Sequence, residues 1–81
     1  MGYMYYVYAI SSLSRNYIYV GISNNPDRRI TQHNKGYNKT TKPYAPFKRI
    51  LLEAYQTRIE ARKREKFLKT GRGKTFLKSL L

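Results

Sequence analysis

The sequence predicts a small α+β fold: a three-stranded, mostly antiparallel sheet flanked by helices, in the order β-β-α-β-α-α. Three observations carry that prediction. Two short runs rich in tyrosine, valine and isoleucine lie close together near the start. Two helix-start signals follow, one at Asn25-Pro26-Asp27 and one at Thr57-Arg58-Ile59-Glu60. The chain has 81 residues, 41% of them apolar, which suits one compact core.

Residues 4–11 (MYYVYAIS) are rich in aromatic and β-branched types and read as a strand, with Tyr5, Val7 and Ala9 on one face and Tyr6, Tyr8 and Ile10 on the other. Residues 17–23 (YIYVGIS) read as a second strand, with Tyr17, Tyr19 and Gly21 on one face. The polar stretch between them is short, so the pair is expected to form an antiparallel hairpin. A turn centred on Leu13 and Ser14 would place Tyr8 directly opposite Tyr19. Asn25 is suited to cap a helix, Pro26 to open it and Asp27 to sit at its positive end. That helix is expected to reach about Asn34 and stop at Gly36. Residues 37–46 form an irregular basic loop with two prolines. Residues 47–55 (FKRILLEAY) are expected to be the third strand, although Leu, Glu and Ala also favour helix. Thr57 and Glu60 make a capping box that opens a helix to about Thr70, ended by Gly71. A last short helix from Gly73 is expected to turn Phe76, Leu77, Leu80 and Leu81 to the core.

Composition narrows the function. Seventeen Lys and Arg against four Asp and Glu give a net charge of +13. Arg15 is the single basic residue before position 28, and nine basic residues lie between Arg58 and Lys78. Such a surface fits a polyanion, nucleic acid before an anionic membrane. The absence of cysteine excludes disulfides, a thiolate nucleophile and thiolate-bound zinc, and the lone His33 excludes a paired-histidine metal motif. No apolar run approaches the ~20 residues of a membrane span. An export signal is not apparent, so a cytoplasmic location is expected.

Within this frame a few side chains fall into a pattern. Tyr8 and Tyr19 lie on the two strands of one hairpin. Arg29 and His33 are one helical turn apart and share a face. Glu65 borders the apolar side of the long helix rather than facing plainly to solvent. Each has an ordinary alternative: cross-strand packing for the tyrosines, phosphate-binding surface for Arg29, a structural role for His33 and an ion pair with Arg62, Lys66 or Lys69 for Glu65.

Together these residues resemble the GIY-YIG nuclease superfamily, and its small stand-alone members in particular, over roughly residues 4–78. The first tripeptide of the family appears as Tyr6, Val7 and Tyr8, and the second as Tyr19, Val20 and Gly21. The two motif tyrosines, Tyr8 and Tyr19, are eleven residues apart, and Arg29 follows Gly21 by eight. His33 matches a histidine or tyrosine found one turn later in some members, and Glu65 matches the glutamate of the following helix. Tyr6 stands where the first motif has glycine, and Leu77 where several branches have asparagine.

The resemblance implies an endonuclease that hydrolyses phosphodiester bonds, in DNA first of all, in a repair- or structure-related role. Glu65 would hold Mg²⁺ or Mn²⁺, and Arg29 would pair with the scissile phosphate. Tyr8 would act as general base, its phenol made more acidic by Arg29, the metal and the basic surroundings. Tyr19 would position water or phosphate, and His33 would support Arg29 or relay a proton. Lys35, Lys39, Lys42, Arg62, Lys66 and Lys69 are candidates for contacts to the nucleic-acid backbone. Tyr37 and Tyr44 could stack on unpaired bases. Two other readings stay open: a non-catalytic nucleic-acid-binding module, and a subunit that works only as a homodimer or with a partner protein.

Overall fold

The computed structural model describes residues 4–81. Its strands are β1 (Tyr5–Ser12), β2 (Ile18–Ser23) and β3 (Phe47–Tyr55), and its helices α1 (Pro26–Asn34), α2 (Arg58–Leu68) and α3 (Gly71–Lys78). A 3₁₀ turn, Lys42–Tyr44, interrupts the loop before β3. The strands form one antiparallel sheet in the order β2-β1-β3. Both the α+β class and the order of elements agree with the sequence, and residues 47–55 are strand despite their helix-favouring composition.

Alternation along β1 divides the core in two. Val7 and Ala9 join Val20 beneath Ala61, Leu68 and Leu77 of α2 and α3. Tyr8 and Ile10 point the other way and pack with Phe47, Tyr19 and Ile30, under α1 and the loop. The sheet is therefore the middle of three layers, and β1 is buried on both sides.

The hairpin register differs from expectation. Tyr8 lies opposite Gly21, and Tyr19 lies opposite Ile10. The cause is Ser12, whose hydroxyl accepts from the backbone N–H of Ser14 (3.2 Å) and Arg15 (3.0 Å) and donates to the Tyr44 carbonyl (2.6 Å). It organises the turn two residues' worth of pairing further along. A shift of two preserves which face each side chain occupies and changes only its partner.

The helix starts are as expected. The Asn25 side chain accepts from Arg28 N–H at 3.2 Å, and Thr57 Oγ1 accepts from Glu60 N–H at 3.2 Å. Gly36 has φ +77, the left-handed conformation a helix end favours. The last two helices differ. α2 ends at Leu68, and Gly71 opens α3 instead of terminating α2, because Thr70 caps α3 by accepting from Gly73 N–H at 3.2 Å. Of the four residues expected to face the core, Leu77 does (1% exposed), whereas Phe76, Leu80 and Leu81 are exposed. α3 meets the rest of the protein along a narrow stripe, and the Arg64 guanidinium lies over the Phe76 ring, 5.3 Å from its centre.

Candidate active site

β1 carries Tyr8 into the layer beneath α1, and α1 lays His33 across it. The Tyr8 hydroxyl and His33 Nε2 are 3.1 Å apart, and both residues are 1% exposed. Tyr19, diagonal to Tyr8 across the hairpin, completes an aromatic cluster, with ring centres 6.3 Å from Tyr8 and 4.7 Å from His33. Arg29, one turn before His33, bonds Gln32 Oε1 at 3.0 Å and acts electrostatically on both Tyr8 and His33.

Beyond this cluster lies an open cleft of about 490 Å³ whose walls include Tyr19, Gly21, Arg29, Arg58, Arg62 and Glu65. Gly21 is the thin part of the wall. A Cβ there would stand 2.6 Å from the Tyr8 hydroxyl oxygen, so the missing side chain is what lets the phenol tip reach toward the cleft. Glu65 enters from α2 on the far side, its side chain 15% exposed, with Lys69 at 3.1 Å and Arg62 at 3.9 Å.

The structure thus brings Tyr8, Tyr19, Arg29, His33 and Glu65 around one location, with Tyr8 and His33 buried behind the wall and the other three lining the cleft. Burial pushes the Tyr8 phenol above its ordinary value, Tyr19 adds to this, and Arg29 pulls the other way without prevailing. Arg29 alone therefore does not make the phenol more acidic. His33 is pushed below its ordinary value, by burial first and then by Arg29, so it is neutral at neutral pH and retains a lone pair.

Glu65 is the carboxylate lining this cleft, and the described residues contain no group of three or more His, Cys, Asp or Glu that could cage a metal. That donor set fits a hard cation that keeps most of its water and shares the substrate's phosphate oxygens. It does not fit zinc.

The six candidate backbone-contact residues are all exposed. Arg62 lies on the cleft, and Lys66 is beside it in a shallow hollow with Arg58 and Lys63. Lys69 is held by Glu65, and Lys35, Lys39 and Lys42 lie at the end of α1 and in the following loop. Tyr37 is 71% exposed and free to stack on a base. Tyr44 is not: its ring is stacked on Tyr17 at 3.9 Å and 9°, which makes it a packing residue. Two neighbours of the site escaped sequence reading. Arg58 was one charge among many until the start of α2 set it on the cleft wall. Thr41 looked like any polar loop residue, yet it is fully buried with its hydroxyl 2.8 Å from His33 Nδ1.

The GIY-YIG catalytic domain model matches residues 4–77. No curated protein and no solved structure matches the chain significantly. The match spans β1 to α3 and contains every residue gathered at the cleft, and on it the chain belongs to the GIY-YIG catalytic domain family, a nuclease family whose substrate is nucleic acid.

Proposed function

We propose that this domain is a divalent-metal-dependent endonuclease that cuts DNA, in a repair- or structure-related role. The observation that best supports this is a carboxylate, Glu65, set in a cleft whose walls also carry Arg29, Arg58 and Arg62, with a tyrosine hydroxyl reaching toward it past Gly21. Binding a polyanion gains nothing from a carboxylate in that position, whereas holding a cation against a phosphate requires one.

In this reading Arg29 pairs with the non-bridging oxygens of the scissile phosphate. Tyr8 takes a proton from the attacking water as its own proton passes to His33 Nε2. The water oxygen bonds to phosphorus, the bond to the leaving oxygen breaks, and that oxygen takes a proton from solvent. His33 returns its proton to solvent between turnovers. Transfer to His33 resolves the difficulty that a buried phenol with a raised pKa is not ionised at neutral pH. The Tyr19 hydroxyl orients the water or phosphate at the mouth. Glu65 would hold Mg²⁺ or Mn²⁺, which when bound supplies positive charge where negative charge builds on the phosphoryl oxygens.

The test is cleavage of labelled single-stranded, duplex and branched DNA with Mg²⁺ or Mn²⁺, comparing the native protein with Glu65→Gln. Cutting that needs the metal and is lost in the variant supports the reading. Tight, salt-sensitive binding with no cutting would make the domain a binding module.

A further inference from the structure

The His33 ring nitrogens have two hydrogen-bond partners, and only one of them belongs to the chemistry just described. Its Nε2 faces Tyr8, and its Nδ1 faces Thr41 Oγ1 at 2.8 Å. Thr41 is 0% exposed, as sealed as His33 itself. It is held rigidly: its N–H donates to the Asn38 carbonyl at 3.2 Å, and its own carbonyl accepts from Tyr44 N–H at 2.9 Å at the head of the 3₁₀ turn. Its hydroxyl also points at the Asn38 carbonyl, 3.5 Å away.

The direction of this chain is set from the Tyr8 end. The buried acceptor within reach of the Tyr8 hydroxyl is Nε2, so the phenol donates to it, Nε2 stays bare and Nδ1 carries the hydrogen. Thr41 Oγ1, 2.8 Å from Nδ1, then accepts. The Asn38 carbonyl already accepts from the N–H groups of Thr41 and Lys42, at 3.2 and 2.9 Å, and lies 3.5 Å from the Thr41 hydroxyl, a distant outlet for the hydroxyl proton. The polarity is Tyr8 O–H to Nε2 and Nδ1–H to Thr41.

We propose that Thr41 is a positioning residue that locks His33 in its Nδ1–H tautomer and so keeps Nε2 open to receive the Tyr8 proton. The opposite tautomer would point a hydrogen at the phenol and leave its proton without a buried acceptor. A third group that orients a catalytic imidazole is a recurring arrangement in enzymes that use one. The consequence for catalysis rests on the nuclease reading; the tautomer does not.

His33 is the chain's single histidine, so its ring nitrogens give unambiguous signals. The experiment is ¹⁵N NMR of the ¹⁵N-labelled full chain at neutral pH, for the native protein, Thr41→Ser and Thr41→Val. The native protein and Thr41→Ser are expected to show Nδ1 protonated and Nε2 bare, and Thr41→Val a mixed or reversed tautomer. Thr41→Ala carries the same expectation should the valine variant fail to fold. In cleavage assays Thr41→Val is expected to lose kcat by about ten- to a hundredfold at unchanged DNA affinity, with Thr41→Ser restoring it. A native protein with Nε2–H, or a valine variant that keeps a pure Nδ1–H form, overturns the proposal. A chain that shows the lock and cuts nothing sinks the nuclease reading and leaves the lock standing.

Discussion

At Tyr8 the phenol is nearly sealed in, and burial with Tyr19 beside it holds its proton more firmly than Arg29 loosens it. Everything the residue does must therefore happen at its tip, over Gly21. Gly21→Ala would put a methyl 2.6 Å from the hydroxyl oxygen at the end of a stiff ring, and the ring has to move. Loss of cleavage comparable to that of Tyr8→Phe, about 10²–10⁴-fold in kcat with DNA affinity retained, is the expected result of a single-turnover assay. An alanine variant with native activity would show that the tip is not where the chemistry occurs. His33 gives a second handle. Its folded pKa lies below its ordinary value near ~6.5, so as pH falls the unfolded chain takes up the proton first. The stability His33 contributes is complete above about 6.5 and declines as pH falls from there toward the folded value. Thermal melts between pH 7 and 5 should fall more steeply for the native protein than for His33→Gln. That these residues meet was legible from the family resemblance, while helix and strand periodicities gave only the face each occupies on its own element. Which residue stands opposite Tyr8 was not, because the register hangs on the Ser12 hydroxyl, and no sequence spacing reveals a hydroxyl organising a turn.

Between elements the decisive contact is the crossing of α2 and α3. Gly73 lies so close to the end of α2 that a Cβ would stand 2.2 Å from the Phe67 carbonyl oxygen and 2.4 Å from Leu68 Cα. Those are backbone atoms and cannot swing aside. Gly71, two residues earlier in the same helix, has open space where its Cβ would be. Sequence-based reasoning reads Gly71 as the terminator of one helix and Gly73 as the start of the next, and neither reading tells which of them the helices crowd. In urea denaturation Gly73→Ala is expected to lose about 1–3 kcal/mol through overpacking. Gly71→Ala is expected to be neutral or to gain up to about 1 kcal/mol from helix propensity. Equal effects at both positions would mean that the helices do not cross this closely. The same geometry explains why Leu77 was foreseen in the core and Phe76, Leu80 and Leu81 were wrongly placed there. A helix that crosses its neighbour at one point buries one stripe, and amphipathic spacing alone cannot say how wide that stripe is.

Across the whole molecule the four acidic residues are all engaged. Glu53 takes a two-pronged contact from Arg64 at 2.9 and 3.1 Å, Glu60 accepts from Thr57 at 2.9 Å, Glu65 lies between Lys69 and Arg62, and Asp27 sits 3.9 Å from Arg49. These leave the excess of +13 unanswered within the chain. Salt should then act with opposite sign on folding and on binding. Screening relieves self-repulsion, so the melting temperature of the free protein is expected to rise as salt increases from low ionic strength. Binding to nucleic acid releases condensed counterions, so affinity is expected to fall linearly on a log–log plot. Lys35, Lys39 and Lys42 test which charges matter, because they lie on the α1 and loop side, apart from the basic residues of α2. Changing all three to Gln removes three cations from that side. If each meets a phosphate, the slope flattens by about 2–3, since each contact carries roughly 0.7–0.9, and affinity drops equally for unrelated sequences. An unchanged slope would confine the bound strand to the α2 side, along Arg58, Arg62 and Lys66. The cleft with Glu65 would then lie at the edge of the footprint, and the strand would approach it from the helix rather than across the loop.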